Sequence, residues 1–224
     1  EPIHRDPGLL HYRVGRAWLD SGRPDLALAH FEKSLAAAPD PPEVHLVLGQ
    51  ALLRLERPAD AIPHFERARA KGVFADVTGL DLARALLAVG RSADARATVT
   101  ATPILEDTDA PTSHALGELA LQLDDPASAV RFLEDAARRA PGAAAVHESL
   151  GIALDRLGRG AEALVALEAA CRLDPQDPTA PYNLALLYAR AGRMAEARQW
   201  ALRALALDPA SPHPRALVQE LSRP

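Results

Sequence analysis

Small and apolar residues return along this chain every 34 positions, without a gap, from residue 8 to residue 211. One column is glycine or alanine throughout: Gly15, Gly49, Ala83, Gly117, Gly151, Ala185. Twelve residues later stands an alanine column, Ala27, Ala61, Ala95, Ala129, Ala163, Ala197, and seven further on another small one, Ser34, Ala68, Thr102, Ala136, Ala170, Ala204. The column just before the first is wholly apolar: Val14, Leu48, Leu82, Leu116, Leu150, Leu184. Small residues at fixed spacing let two backbones approach, so each period predicts a pair of antiparallel helices. Trp18, Leu52, Leu86, Leu154 and Tyr188 on the first helix, with Phe31, Phe65, Val99, Leu133 and Leu167 on the second, are expected to fill the space beside them.

Turn residues punctuate the pattern. Gly22, Gly90, Gly158 and Gly192 separate the helices of a pair. Pro24, Pro58 and Pro126 fall where the second helix opens, since a proline's missing N–H has no partner in a first turn. Pro39, Pro141, Pro175 and Pro209 close the repeats. Six repeats follow, at 8–41, 42–75, 76–109, 110–143, 144–177 and 178–211, with a lead-in at 1–7 and a partial capping helix expected in 212–224, where Leu217, Val218 and Leu221 supply an apolar side. A solenoid end needs such cover. Repeat three is irregular: Pro103 should end its second helix early, leaving a joint through Glu106–Pro111. Pro63, about five residues inside a second helix, predicts a kink near Ala59–Pro63.

The joint agreement of length, Gly/Ala, Ala and closing Pro columns resembles the tetratricopeptide repeat (TPR) family over residues 8–211. The resemblance implies an all-α fold, a right-handed superhelical solenoid of antiparallel helix pairs. It also implies a concave groove lined by the first helices and used to bind protein segments. The chain departs from the family where an early Trp column holds His11, His45, Gly79, Ser113, His147 and Pro181, and where the closing Pro is Val73 and Asp107.

Composition narrows the function. Hydrophobic content of 48% supports a buried core, and only 4% aromatics with abundant Ala and Leu favours helices over a β-sandwich. A net charge of -5 argues against a general nucleic-acid or anionic-membrane binder. The single cysteine, Cys171, excludes an intrachain disulfide and any multi-cysteine metal site. No apolar run approaches the ~18 residues of a membrane-spanning helix, so no membrane insertion is expected. No signal peptide is evident; the cytoplasm is the favoured compartment, and a start at Glu1 leaves room for an upstream leader or domain.

Candidate chemistry is sparse. Gly158-Arg159-Gly160-Ala161-Glu162-Ala163 matches a dinucleotide fingerprint, yet that motif needs a preceding strand, and here the same turn recurs every 34 residues. His11 and His45, like His30 and His64, lie one repeat apart. Equivalent residues of stacked repeats sit about 8–10 Å apart, too far for shared ~2.0–2.1 Å metal bonds, so no metal site is assigned. Cys171 reads as a small buried apolar residue. No catalytic set and no cofactor site emerges.

What remains is the groove that the resemblance implies. Matching positions of the first three repeats contribute Arg13, Arg16, Arg54 and Arg84 against Asp20, Glu43 and Asp81. Repeats four to six contribute Arg156 and Arg190 against Glu118, Glu148 and Asp155. The family's carboxylate clamp is absent, with Tyr12, Arg16, Val47, Val77 and Asp81 at its positions. The family's asparagine ladder is absent too, with only Asn183. The sequence therefore predicts a non-catalytic scaffold that binds a peptide or helix segment of a partner, one with apolar anchors and an acidic flank. The primary surface is Tyr12, Arg13, Arg16, Leu46, Gln50, Arg54, Leu80 and Arg84. Two other readings stay open: a regulatory or docking portion of a larger enzyme, and a self-associating assembly module.

Overall fold

The computed structural model of the protein describes residues 6–37 and 41–222. Pro39, one of the expected closing prolines, lies outside them. The described residues form thirteen α-helices and no strand. They fall into two compact units that divide between Glu106 and Asp107, inside the irregular third repeat.

The first unit holds α1 (Pro7–Asp20), α2 (Pro24–Ala37), α3 (Pro42–Arg54), α4 (Pro58–Ala70), α5 (Ala75–Ala88) and α6 (Ser92–Ala101). The second holds α7 (Ala110–Gln122), α8 (Pro126–Arg139), α9 (Ala144–Arg156), α10 (Gly160–Leu173), α11 (Thr179–Arg190), α12 (Met194–Leu207) and α13 (Pro212–Glu220). Within each unit every helix packs on the next, and first helices also touch one another: α1 with α3, α3 with α5, α7 with α9, α9 with α11. Each unit is thus an all-α solenoid of helix pairs.

The glycine column explains how close the pairs sit. A Cβ added at Gly15 would stand 2.5 Å from the Phe31 ring, and one at Gly49 would stand 2.6 Å from Phe65. Gly117 and Gly151 meet Leu133 and Leu167 at 2.5 Å. Where the column is alanine, the residue sixteen positions on is smaller: Val99 after Ala83 and Ala201 after Ala185. Volume is conserved across the helix pair, as a close-packed interior requires. Ala27, Ala61, Ala95, Ala129, Ala163 and Ala197 are all fully buried.

The six turns within pairs share one closure. The amide of residue 23 donates to the carbonyl of residue 18, and the same bond joins 57 to 52, 91 to 86, 125 to 120, 159 to 154 and 193 to 188. This six-to-one bond needs a left-handed residue at the turn. Gly22, Gly90, Gly158 and Gly192 supply it, whereas Glu56 and Asp124 are held at φ 58 and 54 in the same place.

Three sequence expectations met the packing differently. Trp18 does not fill the helix interface; it keeps 37% of its surface, while its counterparts Leu52, Leu86 and Leu154 keep 3% each. Leu52 faces α2 across a cleft shared with Leu28 and Leu35, and among the described residues no helix precedes α1 to cover Trp18. Pro63 sits inside α4, which is continuous from Pro58 to Ala70. Pro63 and Ala59, four residues earlier, are both exposed, so water can serve the carbonyl left without its amide. Pro103, by contrast, follows an early end: α6 stops at Ala101 after ten residues. In the tail, α13 lays Leu217 over Ala185 and Ala201, with Val218 and Leu221 beside it.

Candidate functional site

The first helices of the first unit carry all eight predicted surface residues, on α1, α3 and α5. Neighbouring first helices are tied by polar side chains along this face. Gln50 Nε2 donates to Asp81 Oδ2 at 2.8 Å, joining α3 to α5. Arg54 Nη1 donates to the Leu19 carbonyl at 2.5 Å, joining α3 to the end of α1. Arg84 approaches Asp81 to 3.9 Å. Asp81 keeps only 9% of its surface. Burial pushes its carboxyl above the ordinary range, and the Gln50 hydrogen bond and the Arg84 and Arg54 charges pull the other way.

The eight residues therefore divide by role. Leu46 and Leu80 keep 5% and 6% of their surface and pack the interior rather than offering open pockets. Gln50 and Arg54 are committed to bonds between helices. Arg13, Arg16 and Arg84 stay exposed, and Tyr12 is half-buried with its ring 6.4 Å from that of Phe31. Sequence reasoning passed over Leu9 when choosing the surface, yet it keeps 45% exposure on the same helix. Leu9 and Tyr12 line a cleft of about 240 Å³ with Gly8, Val44, Asp6 and Glu43.

The second unit repeats the strapping with other side chains. Arg156 donates to the Leu121 carbonyl at 2.9 Å, 35 residues back, as Arg54 does to Leu19. Arg190 reaches the Asp155 carboxylate at the same spacing. Asn183 Nδ2 donates to Glu148 Oε1 at 3.2 Å, and His114 Nε2 lies 3.3 Å from Ser149 Oγ and 3.4 Å from Glu118. Burial, with Asp177 and Glu118 nearby, raises the Glu148 carboxyl to about 7 against the Asn183 hydrogen bond. These cross-links were invisible in a residue count, because one-dimensional spacing does not say which neighbour a long side chain reaches.

Two further groups escaped the sequence reading. Arginines just before the second helices each meet a carboxylate in the first turn: Arg23 with Asp25, Arg57 with Asp60, Arg91 with Asp94, Arg159 with Glu162 and Arg193 with Glu196. The 34-residue recurrence of Arg immediately ahead of a helix was the available signal. The departed Trp column is also occupied purposefully. Ser113 is fully buried and donates from Oγ to Asp135 Oδ2 at 2.6 Å, and Arg138 and Arg139 complete that carboxylate. His11 and His45 meet His30 and His64 of the paired helices, not each other. Cys171 is buried, and burial raises its thiol to about 11, far from a reactive thiolate. Among the described residues no group of three His, Cys, Asp or Glu is placed to hold a metal, and no helix is long and apolar enough to cross a membrane.

Comparison with known proteins agrees with this architecture. Family models described as tetratricopeptide repeat match residues 12–73, 114–178 and 162–212, and another of that description matches 77–99. No curated protein matches the chain. Among solved structures, YrrB, described as a TPR protein with an unusual peptide-binding site, superposes with a TM-score of 0.71 at 17% identity, covering 85% of this chain and 96% of its own. PilF of Pseudomonas aeruginosa gives 0.63 at 18% identity and 96% coverage of both chains. A MamA structure gives 0.53 at 20% identity, over 91% of this chain and 93% of the other. At these identities the likeness is one of fold.

Proposed function

The chain belongs to the tetratricopeptide repeat family, and from that premise we propose that it is a non-catalytic scaffold holding a segment of a partner protein along α1, α3 and α5. The observation that carries the reading is the state of α1. Arg13 and Arg16 are exposed and make no hydrogen bond or ion pair among the described residues, whereas the arginines at the helix turns all reach carboxylates. Beside them Leu9 and Tyr12 open on an apolar cleft. Unpaired guanidiniums next to accessible apolar surface suit a segment with a hydrophobic anchor and an acidic flank.

The anchor enters the cleft at Leu9 and Tyr12, whose rim carries Asp6 and Glu43. Those two carboxylates repel an acidic flank there, so the flank runs toward Arg16 and Arg84, which sets direction. Leu46 and Leu80 support the surface from beneath, and Gln50 and Arg54 hold its helices in register.

A pull-down from the native source identifies the partner, and the Arg16→Glu/Arg84→Glu variant tests the placement. At low salt the variant should bind the partner at least tenfold more weakly, with a melting temperature close to the parent's, because exposed charges contribute little to folding. Equal binding by parent and variant rejects this surface.

A further inference from the structure

Two histidine pairs repeat with the 34-residue period. Nδ1 of His11 lies 3.1 Å from Nδ1 of His30, and Nδ1 of His45 lies 2.8 Å from Nδ1 of His64. Ring nitrogens that face each other this closely share either one proton or one cation. With metal–nitrogen bonds of about 2.0–2.1 Å, a 3.1 Å separation corresponds to a nitrogen–metal–nitrogen angle of about 100°. That is the angle of two neighbouring ligands in a tetrahedral or tetragonal shell. The rings need only turn until their lone pairs converge; the helices need not move apart.

The two pairs differ in access. His11 and His30 are both half-buried, so one side of the pair is open to water. His45 keeps 1% of its surface, so the second pair is closed from the His45 side. We propose that His11 and His30 form an open two-histidine site for a borderline divalent transition cation such as Ni(II), Cu(II) or Zn(II), with water in the remaining positions. Imidazole nitrogen is the donor these ions favour. Lys33 stands close enough to His30 to act on it electrostatically. Its charge repels a cation, which keeps the affinity moderate. The bound ion would clamp α1 to α2 and so stabilise the first repeat. This site is independent of the groove reading, since it uses neither the exposed arginines nor the cleft.

Titration with Ni(II) in calorimetry, together with thermal melts followed by circular dichroism, tests the assignment. The parent should bind one ion through this pair and melt at a higher temperature with saturating Ni(II). His30→Asn and, separately, His11→Asn should each weaken that binding at least tenfold and abolish the rise in melting temperature, with unchanged helical content at neutral pH. His64→Asn should leave both readouts as in the parent. The proposal is overturned if His30→Asn and His11→Asn bind within twofold of the parent, if His64→Asn loses binding as they do, or if the parent's melting temperature does not move.

Discussion

At the scale of single residues, volume and protonation carry the sharpest tests. Phe65 is fully buried, so its ring cannot retreat from a Cβ placed 2.6 Å away at position 49. Gly49→Ala should therefore destabilise the protein by about 1–3 kcal/mol despite alanine's better helix propensity. In a double-mutant cycle with Phe65→Val, the pairing that Ala83 and Val99 already use, the two changes should couple favourably by about 1 kcal/mol. Denaturant unfolding of the four proteins measures this, and simple additivity contradicts the pairing. Two titrating groups pull stability in opposite directions. Burial, with His45 and Arg67 nearby, lowers His64 to about 4. Its neutral form is the folded one, so its contribution is complete above about pH 6.5 and is lost as pH falls toward 4. Glu148 is raised to about 7, so its contribution is present below about pH 4.5 and is lost as pH rises through 7. Both groups are partly exposed, and solvent screening reduces each effect to the order of 1 kcal/mol. Urea titrations at pH 4.5, 6 and 8 should show Glu148→Gln more stable than the parent at pH 8 and no better at pH 4.5. His64→Gln should lose less stability than the parent between pH 6 and 4.5.

The element scale turns on how each helix pair is closed. All six turns make the same six-to-one bond, yet Glu56 occupies the left-handed position that glycine holds in four of them. A side chain in that region costs about 1 kcal/mol. Glu56→Gly should raise stability by about that amount, and Gly22→Ala should lower it similarly. A Cβ at Gly22 meets nothing within 4 Å, so the penalty there is purely one of backbone conformation. If Glu56→Gly proves neutral or destabilising in chemical denaturation, strain at this turn is not the governing term. Overpacking tests the other contact of the pair. Ala129 and Ala163 are fully buried against partner helices, and leucine at either should cost about 1–3 kcal/mol. Circular-dichroism melts matching the parent's would contradict the helix pairing.

Across the whole molecule the two units spend the charges of their first helices differently. In the first, Arg13 and Arg16 stay unengaged among the described residues, while in the second Arg190 is matched to Asp155 and Glu118 adds negative charge. A segment with an acidic flank should therefore choose the first unit, with affinity that falls as salt screens the guanidiniums. Glu148→Gln should leave that affinity within twofold, whereas Arg16→Glu/Arg84→Glu should reduce it at least tenfold. A partner whose binding responds to Glu148 instead would relocate the site to the second unit.

The period of 34, the helix pairs and the order of the small-residue columns were legible in the chain alone, because each is a local rule repeated six times. Backbone approach demands a small residue at Gly15 and again at Gly49, whatever surrounds them. The early end of α6 before Pro103 was legible for the same reason. Partnership was not. Whether Arg54 faces a ligand or the Leu19 carbonyl, and whether Leu46 lines a pocket or the interior, depends on where the neighbouring repeat places its atoms. So does the choice of His30 over His45 as the partner of His11. A repeating sequence specifies how each pair of helices folds on itself, while the reach of long side chains between pairs is set by the stacking of repeats, and only the tertiary structure contains that distance.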